Sequence, residues 1–117
     1  DNTLVQIWLN GGTGTFSKQT TTYTVGNLPR GMISGDWNCD GKQDLAVSNS
    51  GDNTLSLIYG MGTGEFDTPV TISSGRGPGA LAAADFDNDS KMDFLVTVQQ
   101  HPLRQPREET VLHLPQL

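Results

Sequence analysis

Gly35-Asp36-Trp37-Asn38-Cys39-Asp40-Gly41-Lys42-Gln43-Asp44-Leu45-Ala46-Val47 returns 49 residues later as Ala84-Asp85-Phe86-Asp87-Asn88-Asp89-Ser90-Lys91-Met92-Asp93-Phe94-Leu95-Val96. Asp36, Asn38, Asp40 and Asp44 fall at relative positions 1, 3, 5 and 9, and Asp85, Asp87, Asp89 and Asp93 repeat that arrangement. Alternate oxygens on a tightly curled loop converge. Carboxylates brought together in this way repel one another, whereas a hard cation taking about six to eight oxygen ligands turns the repulsion into coordination. The spacing therefore predicts two Ca2+ sites. The backbone carbonyls of Lys42 and Lys91, at position 7, complete each shell while their side chains reach water.

Outward from these loops the chain keeps repeating. Asn2-Thr3-Leu4 through Gly12-Thr13-Gly14-Thr15-Phe16 corresponds to Asn53-Thr54-Leu55 through Gly62-Thr63-Gly64-Glu65-Phe66, with one extra residue read into the first copy. A period near fifty is the length of four short strands and their turns, so each unit resembles one blade of a propeller or one module of an array. Thr20–Val25 and Thr54–Tyr59 are rich in β-branched and aromatic residues and are bounded by Gly or Asn, which reads as strand. Ala80–Ala84 has helical propensity but only five residues, and its counterpart Gly31–Gly35 contains two glycines, so both read as short buried strands. The Gly-x-Gly-x-Phe segments supply the positive-φ positions of tight hairpins, with an aromatic returning to the core.

Composition narrows the functional classes. The 117 residues carry 13 acidic and 7 basic side chains, net charge −6, with 34% hydrophobic residues, which suits one small domain. Seven of the thirteen acidic residues lie in the two loops, so two divalent ions would offset most of the net charge. Lys18, Arg30, Lys42, Arg76, Lys91, Arg104 and Arg107 are scattered, leaving no basic stripe for nucleic acid. No apolar run approaches the ~20 residues of a membrane span. Cys39 is the only cysteine, so no intrachain disulfide holds the fold.

Other readings of the aspartates fail on spacing. An EF-hand needs Glu at position 12 and flanking helices, but position 12 is Val47 in one loop and Val96 in the other. A phosphotransferase Asp-x-Asp at Asp85 and Asp87 would want Thr or Val two residues on, where Asp89 stands, and a duplicated cluster argues against a single nucleophile. Glycosidic chemistry needs one carboxyl with a raised pKa, whereas clustering around a cation favours the ionised form. His101 and His113 are the only histidines, and the repeats hold no Ser-His-Asp or Cys-His set. No catalytic residues are predicted, and the chain reads as a non-enzyme. Trp8, Trp37, Tyr23 and Tyr59, at strand spacing, read as core in preference to a sugar platform.

Asp-x-Asn-x-Asp-Gly-Lys-x-Asp-Leu-Ala-Val, then Asn-Thr-Leu-Ser-Leu-Ile-Tyr-Gly and Gly-x-Gly-x-Phe, resembles the FG-GAP or VCBS repeat of integrin-α-type β-propellers and of many secreted bacterial proteins. The resemblance covers residues 1–98. It implies an all-β fold of four-stranded antiparallel blades, here a partial propeller of about two blades that opens in the third strand of one unit. It also implies calcium on Asp36, Asn38, Asp40, the Lys42 carbonyl and Asp44, and on Asp85, Asp87, Asp89, the Lys91 carbonyl and Asp93. An extracellular adhesion or ligand-binding module, for protein or carbohydrate, follows from it, or an accessory domain of a secreted hydrolase. Two residues depart from the pattern: Ser90 replaces the Gly41-type residue, and Cys39 stands where Gly or Asn is usual. A closed propeller needs at least about four blades, so two blades imply further blades of a longer chain or self-association.

Residues 99–117 break the repeat. Gln99-Gln100-His101-Pro102-Leu103-Arg104-Gln105-Pro106-Arg107 stands where a third strand is due, and its codons, read one nucleotide downstream, permit Asn-Asn-Thr-Leu-Ser-Val-Asn-Leu-Gly. The expectation is a frame-shifted ending, which the gene sequence decides. An ordinary tail would instead let Thr110–Leu114 pair as a strand.

Overall fold

The computed structural model describes residues 3–99 and the backbone of residues 111–114. Among the described residues nine strands run in chain order: β1 Leu4–Asn10, β2 Phe16–Thr24, β3 Pro29–Gly35, β4 Asp44–Asn49, β5 Thr54–Ile58, β6 Val70–Ser73, β7 Leu81–Ala84, β8 Asp93–Thr97 and β9 Val111–Leu114. All pairings are antiparallel, in three sheets ordered β1-β2, β3-β4-β5-β6 and β7-β8-β9. The described residues contain no helix. The middle sheet is one complete blade. By repeat equivalence β1-β2 are strands three and four of the blade before it, and β7-β8 are strands one and two of the blade after. The fold is thus all-β and partial-propeller-like. Of the tail expected to be frame-shifted, residues 100–110 and 115–117 lie outside the described residues.

The apolar alternation along each strand sends side chains to both faces of the middle blade, so two cores form, one on each side. Trp37, Ala46, Leu55, Leu57, Phe94 and Val96 fill the space toward β7-β8, with Ile33, Leu81 and Ala83 packed against them. Val5, Tyr23, Val25, Val47 and Ile58 fill the space toward β1-β2, with Ile7, Leu45 and Phe66 alongside. Near the inner strands the blades are joined directly: the Ser48 hydroxyl accepts from Gly31 N at 2.9 Å and donates to the Gly79 carbonyl at 2.6 Å. A Cβ at Gly31 would lie 2.7 Å from that carbonyl, so glycine there permits the close approach.

The strand expectations hold, with three corrections. Leu4 aligns with Leu55 in sequence, but Leu55 is fully buried in the core toward the following blade and Leu4 is 49% exposed. Val5 takes the equivalent place, so the structural offset is 50 and the first copy has no extra residue before its hairpin; a one-residue slip exchanges the two faces of a strand. Second, β3 and β7 are not fully buried, because each is packed on one face only. Third, Trp37 and Tyr23 are core and Tyr59 packs against it, but Trp8 is 54% exposed. Gly12, Gly14, Gly62 and Gly64 all have positive φ, as the hairpins require. Phe66 returns to the core and meets Tyr23 edge-on, centroids 5.6 Å apart, whereas Phe16 stays exposed.

Candidate metal centres

Each acidic loop joins the first strand of a blade to the second, β3 to β4 and β7 to β8. The two loops have the same internal wiring. Asp36 accepts from Asp40 N at 3.1 Å and Gly41 N at 2.7 Å, and Asp85 accepts from Asp89 N at 3.0 Å and Ser90 N at 2.7 Å. Asp40 accepts from Lys42 N and Asp89 from Lys91 N, both at 2.9 Å, which puts these peptides on the rim of each cluster. The residue at position 9 closes the loop from below: Asp44 accepts from Trp37 N at 2.8 Å and Asp93 from Phe86 N at 3.1 Å. Asp44 also accepts from Gly60 N at 2.8 Å, tying the loop to the end of the neighbouring hairpin.

This wiring brings the predicted carboxylates together. One oxygen each from Asp36, Asp40 and Asp44 lies within 4.8 Å of the others, and so does one each from Asp85, Asp87, Asp89 and Asp93. Asn38 belongs to the first cluster through its amide. In one orientation its carbonyl oxygen faces Asp36 and Asp40, adding a third acceptor; turned over, its NH2 donates to Asp36 Oδ1 and Asp40 Oδ1, each at 3.1 Å. A cation favours the first orientation and an empty loop the second. The donor set, all oxygen and mostly anionic, is the chemistry hard cations take.

The electrostatics follow from the wiring. Partial burial disfavours the charged form of Asp36, but N–H donors from Gly41, Asp40 and Cys39 outweigh it and hold its carboxyl below the usual range. Asp85 is lowered in the same way against the same burial, chiefly by Ser90 and Asp89. Asp87 is raised, first by burial and then by Asp89, Asp93 and Asp85 around it, so the second cluster holds more negative charge than its own donors neutralise.

Both loops need two left-handed positions. Cys39 and Gly41 have φ of 61° and 81°, and Asn88 and Ser90 have 61° and 69°. Ser90 thus occupies the glycine-type position expected for it, and Cys39 proves to be a second such position. Asn88 and Gly41 suit this backbone; Cys39 and Ser90 do not. Each loop therefore carries one misfit. Cys39→Asn and Ser90→Gly should each stabilise the protein by about 0.5–1 kcal/mol, measured by urea unfolding. A Cβ at Gly41 has nothing within 4 Å, so Gly41→Ala should show the backbone penalty alone, of similar size and opposite sign.

Sequence reasoning missed the reach of Asp44 to Gly60, since nothing in the motif marks a bond to the next hairpin. The glycine there is the available signal: a Cβ at Gly60 would lie 2.0 Å from the Gln43 carbonyl.

Blades of antiparallel strands, each with an acidic loop between its first two strands, define a β-propeller-type repeat module. A family model for the FG-GAP-like repeat matches residues 36–96, which span both acidic loops. With more than half of its length matched, the chain belongs to the FG-GAP-like repeat family. No curated protein and no solved structure matched the chain.

Proposed function

We propose that the chain is a calcium-stabilised, non-catalytic binding module, with one ion in each acidic loop and its ligand surface on the blades. The observation that carries the reading is the convergence of carboxylate oxygens in two separately built loops of the same wiring. Asp36, Asn38, Asp40, Asp44 and the Lys42 carbonyl would hold the first ion, and Asp85, Asp87, Asp89, Asp93 and the Lys91 carbonyl the second. Bound there, each ion clamps a loop whose buried position-9 aspartate is anchored to the start of that same loop. The ion therefore fastens strand one to strand two of a blade and performs no chemistry on a substrate.

An extracellular setting fits this reading, since calcium modules that work there bind in the range of about 10⁻⁴ to 10⁻³ M. Adhesion, or recognition of a protein or carbohydrate, would use the loops at the blade ends; service as an accessory domain of a secreted hydrolase would use the same surface. Calorimetric titration with calcium tests the ion-binding part: two ions per chain are expected, one after Asp36→Asn or Asp85→Asn, and no heat in either loop would refute it. Asn38→Asp gives the first loop the fourth carboxylate that the second has in Asp87, and should tighten that site severalfold.

A further inference from the structure

We propose that the outer edge of β8 is a strand-exchange seat, filled by β9 of the same chain and otherwise taken by β1 of a second copy, head to tail. The seat is defined by register. In the complete blade β4 pairs with β5 through Leu45↔Ile58, Ala46↔Leu57, Val47↔Ser56 and Ser48↔Leu55. β8 pairs with β9 through Phe94↔Leu114, Leu95↔His113, Val96↔Leu112 and Thr97↔Val111. Carried over by the 49-residue repeat, these are the same pairings, so the tail strand sits where the third strand of a blade belongs.

β1 is the chain's other third strand. It pairs only with β2, and among the described residues no strand lies along its other edge. Trp8, equivalent to the fully buried Ile58, is 54% exposed, and Met32 on the adjoining face of β3 is 56% exposed. A hollow of about 270 Å³ lies between β1 and β3, lined in part by Leu4, Gln6, Arg30, Met32 and Val47. The β7-β8 pair of a second copy fits this gap by repeat equivalence: its face opposite Phe94 and Val96 corresponds to the β3-β4 face of Ile33 and Ala46, which already packs against β7-β8. In the joined blade β7-β8-β1-β2, Gln6 falls opposite Val96 of the other copy and Trp8 opposite Phe94. Phe86, 45% exposed here, would reach the β4 face as its counterpart Trp37 reaches Phe94 at 4.6 Å.

Such an interface is head to tail, so it closes into a ring or propagates. Counted over the described strands β1–β8, each copy of the 117-residue chain then contributes two blades' worth of strands, and rings of about four to eight blades correspond to about two to four copies. The inference stands apart from cation binding, and both arms of its test hold calcium constant. The full chain and a Leu112→Pro/Leu114→Pro variant, in which β9 cannot hold its ladder bonds, are compared by sedimentation across a concentration series with strand content followed by circular dichroism. The full chain is expected as a single copy and the variant as a particle of two to four copies that Trp8→Asp returns to single copies. Should the variant unfold when dilute, its strand content must return as concentration rises. A folded variant that stays a single copy, strand content lost at every concentration, a full chain already in that particle and unmoved by the prolines, or assembly indifferent to Trp8→Asp would each overturn the proposal.

Discussion

Asp44→Ala should destabilise the protein by about 2–5 kcal/mol even with no divalent ion present, a large share of the ~5–15 kcal/mol typical of a small domain. Asp44 is fully buried and accepts from both Trp37 N and Gly60 N. Removing its carboxylate leaves two donors in places that water reaches poorly, and each such donor costs about 1–3 kcal/mol. It also loosens the segment that delivers Trp37 to the core against Phe94. Asp44→Asn separates the two roles. Its amide oxygen still accepts a hydrogen bond, so stability in chelator should fall less than in Asp44→Ala, while the gain on adding calcium should shrink as it does in Asp36→Asn. Denaturant unfolding of the three proteins in chelator and in calcium checks this; an Asp44→Asn protein that keeps the full gain on adding calcium would place Asp44 outside the ion's shell.

The second large effect is that of calcium itself. Binding to the folded state alone adds RT ln(1 + [L]/Kd), about 1.4–2.7 kcal/mol per site at ten to a hundred times Kd. Two sites should therefore add about 3–5 kcal/mol at roughly 10 mM calcium. For a domain of this length that is a rise in Tm of about 10–20 °C. Magnesium, which requires a tighter octahedral shell and sheds water reluctantly, should raise it less. Asp36→Asn and Asp85→Asn should each remove about half of the calcium increment, because the two loops lie in different blades and share no ligand.

Much of this architecture was legible because the repeat is written twice. The duplicated aspartates place two loops between strands, and the β-branched runs at Thr20–Val25 and Thr54–Tyr59 mark strands that form close to where they are expected. The glycines of Gly-x-Gly-x-Phe mark positive-φ turns, and all four have that backbone. What was not legible depends on partners distant in sequence. Leu4 and Val5 are both apolar, so sequence matching cannot choose which one faces the core; the packing of Val5 with Val47 and Ile58 decides it. β3 and β7 read as buried because their residues are small and apolar, yet burial requires a sheet on both faces. Cys39 shows the same dependence, for its left-handed backbone is set by the curl of the whole loop and not by its own preference.

The two loops as paired calcium cages are most directly tested by diffraction from crystals grown with calcium in millimolar excess. Density for an ion is expected in each loop, ligated by oxygens of Asp36, Asn38, Asp40 and Asp44 in one and of Asp85, Asp87, Asp89 and Asp93 in the other, at about 2.3–2.6 Å. The Asn38 amide should then present its oxygen to the first ion. Loops that hold water alone, with Asn38 turned to donate to Asp36 and Asp40, would contradict the account.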